Sequence, residues 1–229
     1  MTLWAPRGQI ARWLVLVAMA LNLVASLAMA LVLRNATSAG GEVADRMAFI
    51  HEHTLWVSGA WYSWVLASCG LVVVMYTILR SLPISVEIRG VVLAILLLGA
   101  VPDIVNNLVG AAVLPMLAER WSESSEALRP AIEMDFEAWD RFSVVLTGAL
   151  GNFFYATVGF LLVAITHRVK GFPRSMVWLG LPLWTATLGI SAASIVDSVP
   201  ALICTVATTM TLFCVWCTGI AFLWLGERE

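Results

Sequence analysis

Asp103 stands inside an apolar run. Residues 96–115 read LLLGAVPDIVNNLVGAAVLP, and Asn106 and Asn107 follow the acid within one helical turn. No Lys, Arg or His shares the stretch. A lone carboxylate in hydrocarbon is expensive, so it must be protonated, be hydrated in a cavity, or hold a cation. Pro102 adds to the oxygen supply, because it lacks an N–H and leaves the Leu98 carbonyl without its helical donor. The chemistry to expect at this point is binding of a proton or a small cation. The structural alternative is a protonated acid bonded to Asn152 or Tyr155 as interhelical glue.

The spacing around the acid is helical. Gly99, Asp103, Asn106 and Gly110 fall at i, i+4, i+7 and i+11, on one face, with Asn107 at its border. Residues 147–162, TGALGNFFYATVGFLL, place Gly148, Asn152, Tyr155 and Gly159 at the same offsets. Small residues let helices approach, and Asn bonds across them. The two stripes are therefore expected to pack on each other or around a shared polar cavity.

Other candidates lie near the predicted surface. His51 and His53 precede an apolar run, but at i, i+2 they point to opposite sides of a helix and would chelate jointly only from extended chain. Glu133, Glu137 and Asp140 recur at i, i+4 and i+7 and could hold a divalent cation. A solvated acidic face is the plainer reading. Cys214 and Cys217 form a CxxC inside an apolar helix and read as small packing residues.

These residues need elements to position them, and composition decides which. The 229-residue chain is 61% apolar and 12% charged, against about half and a quarter in ordinary soluble domains. Disorder, nucleic-acid binding and a disulfide scaffold are excluded. Six runs, at about 12–33, 54–79, 90–117, 142–166, 176–196 and 200–225, are long enough to cross a bilayer, which takes about 20 helical residues. The first is too long for a signal-peptide core. Residues 118–141 place Leu128, Ile132, Phe136 and Trp139 on one face and the three acids on another, the pattern of an amphipathic helix. The expected fold is all-α: a single domain, a polytopic membrane bundle of six transmembrane helices with one amphipathic outer-surface helix. The segment 34–52 reads as a partly ordered outer loop.

Arg7, Arg12, Arg80, Arg89, Arg168, Lys170, Arg174 and Arg228 fall on one side of this arrangement, and Arg34, Arg46, Arg120, Arg129 and Arg141 on the other. The positive-inside rule puts both termini in the cytoplasm. The localisation expected is the bacterial cytoplasmic (inner) membrane. No cofactor is predicted. No His lies mid-span for haem, and the sole lysine, Lys170, sits in a loop, away from any retinal site. Trp61, Trp64, Trp184 and Trp216 lie deep and are read as packing residues or as the wall of a ligand cavity.

The stretches HTLWVSGAWYSWVLASCGLVVVMYTILRSL and FEAWDRFSVVLTGALGNFFYATVGFLLVAI, with PDIVNN between them, resemble a group of small bacterial six-span membrane proteins known only as uncharacterised. The resemblance implies the topology and no activity. A six-span bundle of this length also resembles the substrate-binding subunits of energy-coupling vitamin transporters. The first span here has Ala18, Ala25 and Ala28 but not their coupling motif.

Three functions are in view. One is a non-catalytic membrane subunit that assembles with other membrane chains or with copies of itself through its small-residue faces. Another is a transporter or channel-like protein moving a proton, cation or small solute at Asp103. The third is an intramembrane lipid-modifying enzyme using Asp103, Tyr155 and His51. The expected partners are the lipid bilayer and other membrane chains, with no nucleic acid.

Overall fold

The computed structural model describes residues 8–226. Arg7 and Arg228, two of the cations that set the expected orientation, lie outside the described residues. Six helices are long and apolar enough to cross a membrane: α1 (Gln9–Ala36), α3 (Thr54–Ser81), α4 (Val86–Glu123), α5 (Arg129–Arg168), α6 (Arg174–Ile195) and α7 (Val199–Leu223). A shorter helix, α2 (Val43–Glu52), leads into α3. Among the described residues there is no strand.

Local chemistry explains the boundaries. The Ser85 hydroxyl accepts from the Ile88 N–H and opens α4, as an N-cap should. Pro130 sits in the first turn of α5, where its missing N–H costs nothing. Gly171 takes φ +82° in the turn between α5 and α6, a conformation that glycine adopts without strain.

Helices adjacent in the chain pack together, α1 also packs on α3 and α7, and α4 packs on α5. The Arg12 guanidinium lies 4.1 Å over the Phe222 ring, so the two ends of the described chain meet at one end of the bundle. The core divides in two. One apolar cluster, with Ile78, Leu96, Leu162, Leu183 and Ile220, fills the bundle toward that end. The other, with Met47, Ile50, Val57, Leu114 and Phe136, fills the opposite end under α2.

Two expectations are corrected. Residues 34–52 are not a loop. A one-turn 3₁₀ segment (Ser38–Gly40) is followed by α2, whose Arg46, Met47 and Ile50 are buried. Likewise, the acidic segment 118–141 is not a separate surface helix. Its first residues finish α4, Ser124 turns to extended backbone, and Arg129 onward is the start of α5. Nothing breaks the chain at 142, so the helix runs on through a π-helical stretch, Val144–Gly151. Of the expected apolar face only Phe136 is fully buried, while Leu128 and Trp139 are exposed.

The glycine stripes are also re-sorted. A Cβ on Gly99 would come 2.9 Å from the Gly151 carbonyl oxygen, so α4 and α5 do touch there. Gly110, however, faces the Trp61 indole of α3, while Gly148 and Gly159 face Ser194 and Trp184 of α6. The α5 stripe thus serves the α5–α6 contact inside this chain. Trp184 also meets Trp216 edge-on at 5.8 Å, and Trp216 donates to the Met176 carbonyl at 3.1 Å. Both deep indoles pack helices together.

Candidate functional site

Between the two apolar clusters lies a polar layer drawn from four helices. Asn22 of α1 donates to the Ala67 carbonyl of α3 at 3.3 Å. The next residue, Ser68, reaches across to α4 and donates to Asp103 Oδ2 at 2.7 Å. Tyr155 of α5 donates to the same oxygen at 2.9 Å. Thr147, also of α5, donates to Oδ1 at 3.1 Å. Asn107 completes the set, with Nδ2 3.4 Å from Oδ1. Asp103 is 6% exposed, and the nearest ion pairs, Arg46–Asp140 and Arg141–Asp197, are elsewhere.

The Ser68 hydroxyl has one proton and two acceptors. Its Oγ stands 2.7 Å from Asp103 Oδ2 and 2.8 Å from the Trp64 carbonyl one turn back on α3. A hydroxyl supplies a single donor. When Asp103 is ionised, Ser68 turns its proton to the carboxylate. When Asp103 is protonated, the acid donates to Ser68 and Ser68 donates to Trp64. Each state leaves the pair bonded, so adding or removing the Asp103 proton rotates a hydroxyl and strands nothing.

The network is tight on its hydroxyl side and slack on its amide side. The three hydroxyls lie at 2.7–3.1 Å from Asp103. The contacts of Asn107 Nδ2 with Asp103 and with Ser68, and of Asn106 Nδ2 with Asn107 Oδ1, are all 3.4 Å. Asn106 Oδ1 is buried with no hydrogen-bond partner.

Of the residues expected here, Asp103, Asn106, Asn107 and Tyr155 come together. Asn152 does not join them. It is half-buried and donates to the Thr147 carbonyl at 3.0 Å, within the π-helical stretch. Leu98 faces outward, 55% exposed. Ser68 and Thr147 were not anticipated. The signal for Ser68 was a hydroxyl at a similar depth to Asp103 in the neighbouring span.

The surface candidates are apart from this layer. His51 lies within α2, where its Nδ1 is 3.4 Å from Ser122 Oγ. His53 stacks on Phe49 at 4.5 Å and its Nδ1 meets the Phe49 carbonyl. Neither is in the extended chain that joint chelation would need. From His53 to Ser68 is roughly 22 Å along α3 at 1.5 Å per residue, so His51 is not gathered with Asp103 and Tyr155. Glu133 accepts from Trp121 Nε1 at 2.8 Å. Asp140 is taken by Arg46. Glu137 is exposed at an open hollow of about 270 Å³, which Glu42 and Glu133 also line. Glu133 and Glu137 thus share a hollow while Asp140 is held in an ion pair, and among the described residues no group of three His, Cys, Asp or Glu is placed to hold a metal ion.

No protein-family model matches this chain, and neither do any of the curated proteins or solved structures compared with it.

Proposed function

We propose that the protein is a multi-pass membrane carrier in which Asp103 takes up and releases a proton or small cation, with the exchange felt by α3, α4 and α5 together. The observation that carries this reading is the buried carboxylate at the junction of three helices, held by rotatable hydroxyls rather than by a cationic side chain. A permanent structural carboxylate is normally neutralised by Arg or Lys, and an ionisable group left unneutralised inside a membrane is a functional candidate by default. The bilayer we assign is the bacterial inner membrane, with both ends of the chain in the cytoplasm, from the Lys and Arg distribution. The test is flux. Purified protein in proteoliposomes should dissipate an imposed proton or cation gradient, and Asp103→Asn should abolish this while keeping the fold. An Asp103→Asn protein as active as the wild type removes the reading.

A second reading, a non-catalytic subunit that assembles with other membrane chains, is favoured by α7. Cys204, Thr208, Thr211 and Thr218 are exposed and recur at helical spacing on its outer flank, and small and hydroxylated residues suit close helix association. Gly148 and Gly159 are used inside the chain and do not contribute to such a face. Cross-linking from Thr211→Cys in native membranes checks it: a discrete adduct supports assembly, and an unmodified monomer counts against it.

A further inference from the structure

The amide side of the polar layer narrows what Asp103 exchanges with. Three contacts of 3.4 Å link Asn106, Asn107, Asp103 and Ser68, at the outer limit of hydrogen bonding. In the same place Asn106, 5% exposed, carries an acceptor oxygen that nothing satisfies. A buried unpaired amide oxygen costs free energy unless something electropositive meets it. The neighbouring groups that could turn toward such a guest also carry oxygen: Asp103 Oδ1, Asn107 Oδ1 and Thr147 Oγ1. The set contains no sulfur and no imidazole, which is the ligand chemistry of a hard cation and not of a transition metal. It holds a single negative charge. A monovalent ion would leave the layer neutral, whereas a divalent ion would leave a net charge among apolar clusters, where charge is costly.

Resting on the reading that Asp103 is an exchange site, we propose that the amide side of this layer binds a monovalent alkali cation between Asp103, Asn106, Asn107 and Thr147. The cation takes the place of the Asp103 proton one for one: the O–H bond of the acid breaks, the proton leaves to solvent, and the carboxylate and amide oxygens coordinate the incoming ion. Charge in the layer is the same before and after. Asn106 is the residue that distinguishes this site from a simple proton site, because it has no hydrogen bond to Asp103 and its free oxygen matters only to a guest.

The experiment uses the full chain in detergent. Thermal unfolding is followed by tryptophan fluorescence in sodium, lithium, potassium or choline chloride at equal ionic strength, in acidic and alkaline buffer. At least one alkali cation should raise the unfolding midpoint over choline, by mass action on the folded state. The increment should shrink as the buffer is made more acidic, since protons compete for the same oxygen. Asp103→Asn should lose it. Asn106→Leu, which also gives up the 3.4 Å contact with Asn107 Oδ1 and so has its own choline midpoint, should raise the half-saturating cation concentration ~10-fold or more over the wild type, as expected for a lost ligand. Binding of radioactive sodium to the wild type, displaced by unlabelled sodium and not by choline, gives the answer without relying on any variant folding. Alkali cations that act no differently from choline, together with no displaceable sodium binding, overturn the cation site. Proton flux that persists under those conditions would leave Asp103 as a proton site, and its absence would remove both readings.

Discussion

The Arg46 guanidinium donates to Asp140 Oδ2 at 2.6 Å across 94 positions of sequence, with 5% and 15% of the two side chains exposed. It also lies 5.0 Å over the Phe136 ring. One contact therefore fastens α2, which follows the first long helix, to the start of α5. Removing one charge from a buried pair leaves the other unpaired, at about 3–5 kcal/mol. Arg46→Leu should lower the thermal midpoint by a correspondingly large amount. Arg46→Leu with Asp140→Leu should regain most of it, because no charge is then stranded. Equal losses in the single and double variants would mean that the apolar contact with Phe136, and not the ion pair, carries the join.

Glycine substitutions should separate by what faces them. A Cβ at Gly159 would fall on the Trp184 indole, whereas one at Gly59 meets nothing within 4 Å. Gly159→Ala should destabilise by about 1–3 kcal/mol, the usual cost of overpacking. Gly59→Ala, in an exposed helix interior, should stabilise by up to about 1 kcal/mol. Gly148→Leu and Gly159→Leu should unfold the α5–α6 contact outright. Unfolding midpoints in detergent measure all four, and a harmless Gly159→Leu would remove the close approach of α5 to α6.

Replacements of Asp103 should divide sharply in stability. In Asp103→Asn the new NH₂ can donate to Ser68 and Tyr155, and Ser68 can keep its bond to the Trp64 carbonyl, while the Tyr155 O–H loses its acceptor. The fold should survive at a cost of about 1–3 kcal/mol for that one stranded donor. Asp103→Leu strands Tyr155, Thr147 and Asn107, at about 1–3 kcal/mol for each group left unpaired. A Leu variant as stable as the Asn variant would show that the hydroxyls have other partners.

Reporter fusions check the proposed orientation. Fusions after residues 170 and 229 should report cytoplasm and one after residue 125 the exterior. A cytoplasmic signal from residue 125 would invert the assignment.

Much of this architecture was legible in the sequence because apolar runs and the composition needed to cross a bilayer are coarse signals. The Gly99–Asp103–Asn106–Gly110 face is buried as its spacing required. The second stripe failed at Asn152 for a definite reason. Buried positions in α5 fall at 136, 143, 148, 151, 155, 156, 158, 159, 162 and 166, so Gly151 and not Asn152 is buried between Gly148 and Tyr155, and the step of five from Ser143 to Gly148 lies in the π-helical stretch. A reading at 3.6 residues per turn cannot anticipate that change of winding. It also truncated α5 at 142, which hid Thr147 by placing it at a boundary. Met47 and Ile50 were missed because α2 is short and its apolar positions are interrupted by charged residues, Arg46 among them.

The length of α4 and α5 has a mechanical consequence. A 38-residue and a 40-residue helix at 1.5 Å per residue reach nearly 60 Å, roughly twice the thickness of a bilayer's hydrocarbon. They are joined only by the short turn 124–128. Asp103 and Thr147 therefore sit partway along two stiff rods whose far ends carry Trp121, Glu133 and the Asp140 latch. A load applied at those ends reaches the carboxylate along continuous helix whose compliant points are the π-helical stretch of α5 and Pro115 of α4, so a pull on α2, passed on at the Asp140 ion pair, reaches Thr147 along α5 without crossing a loop.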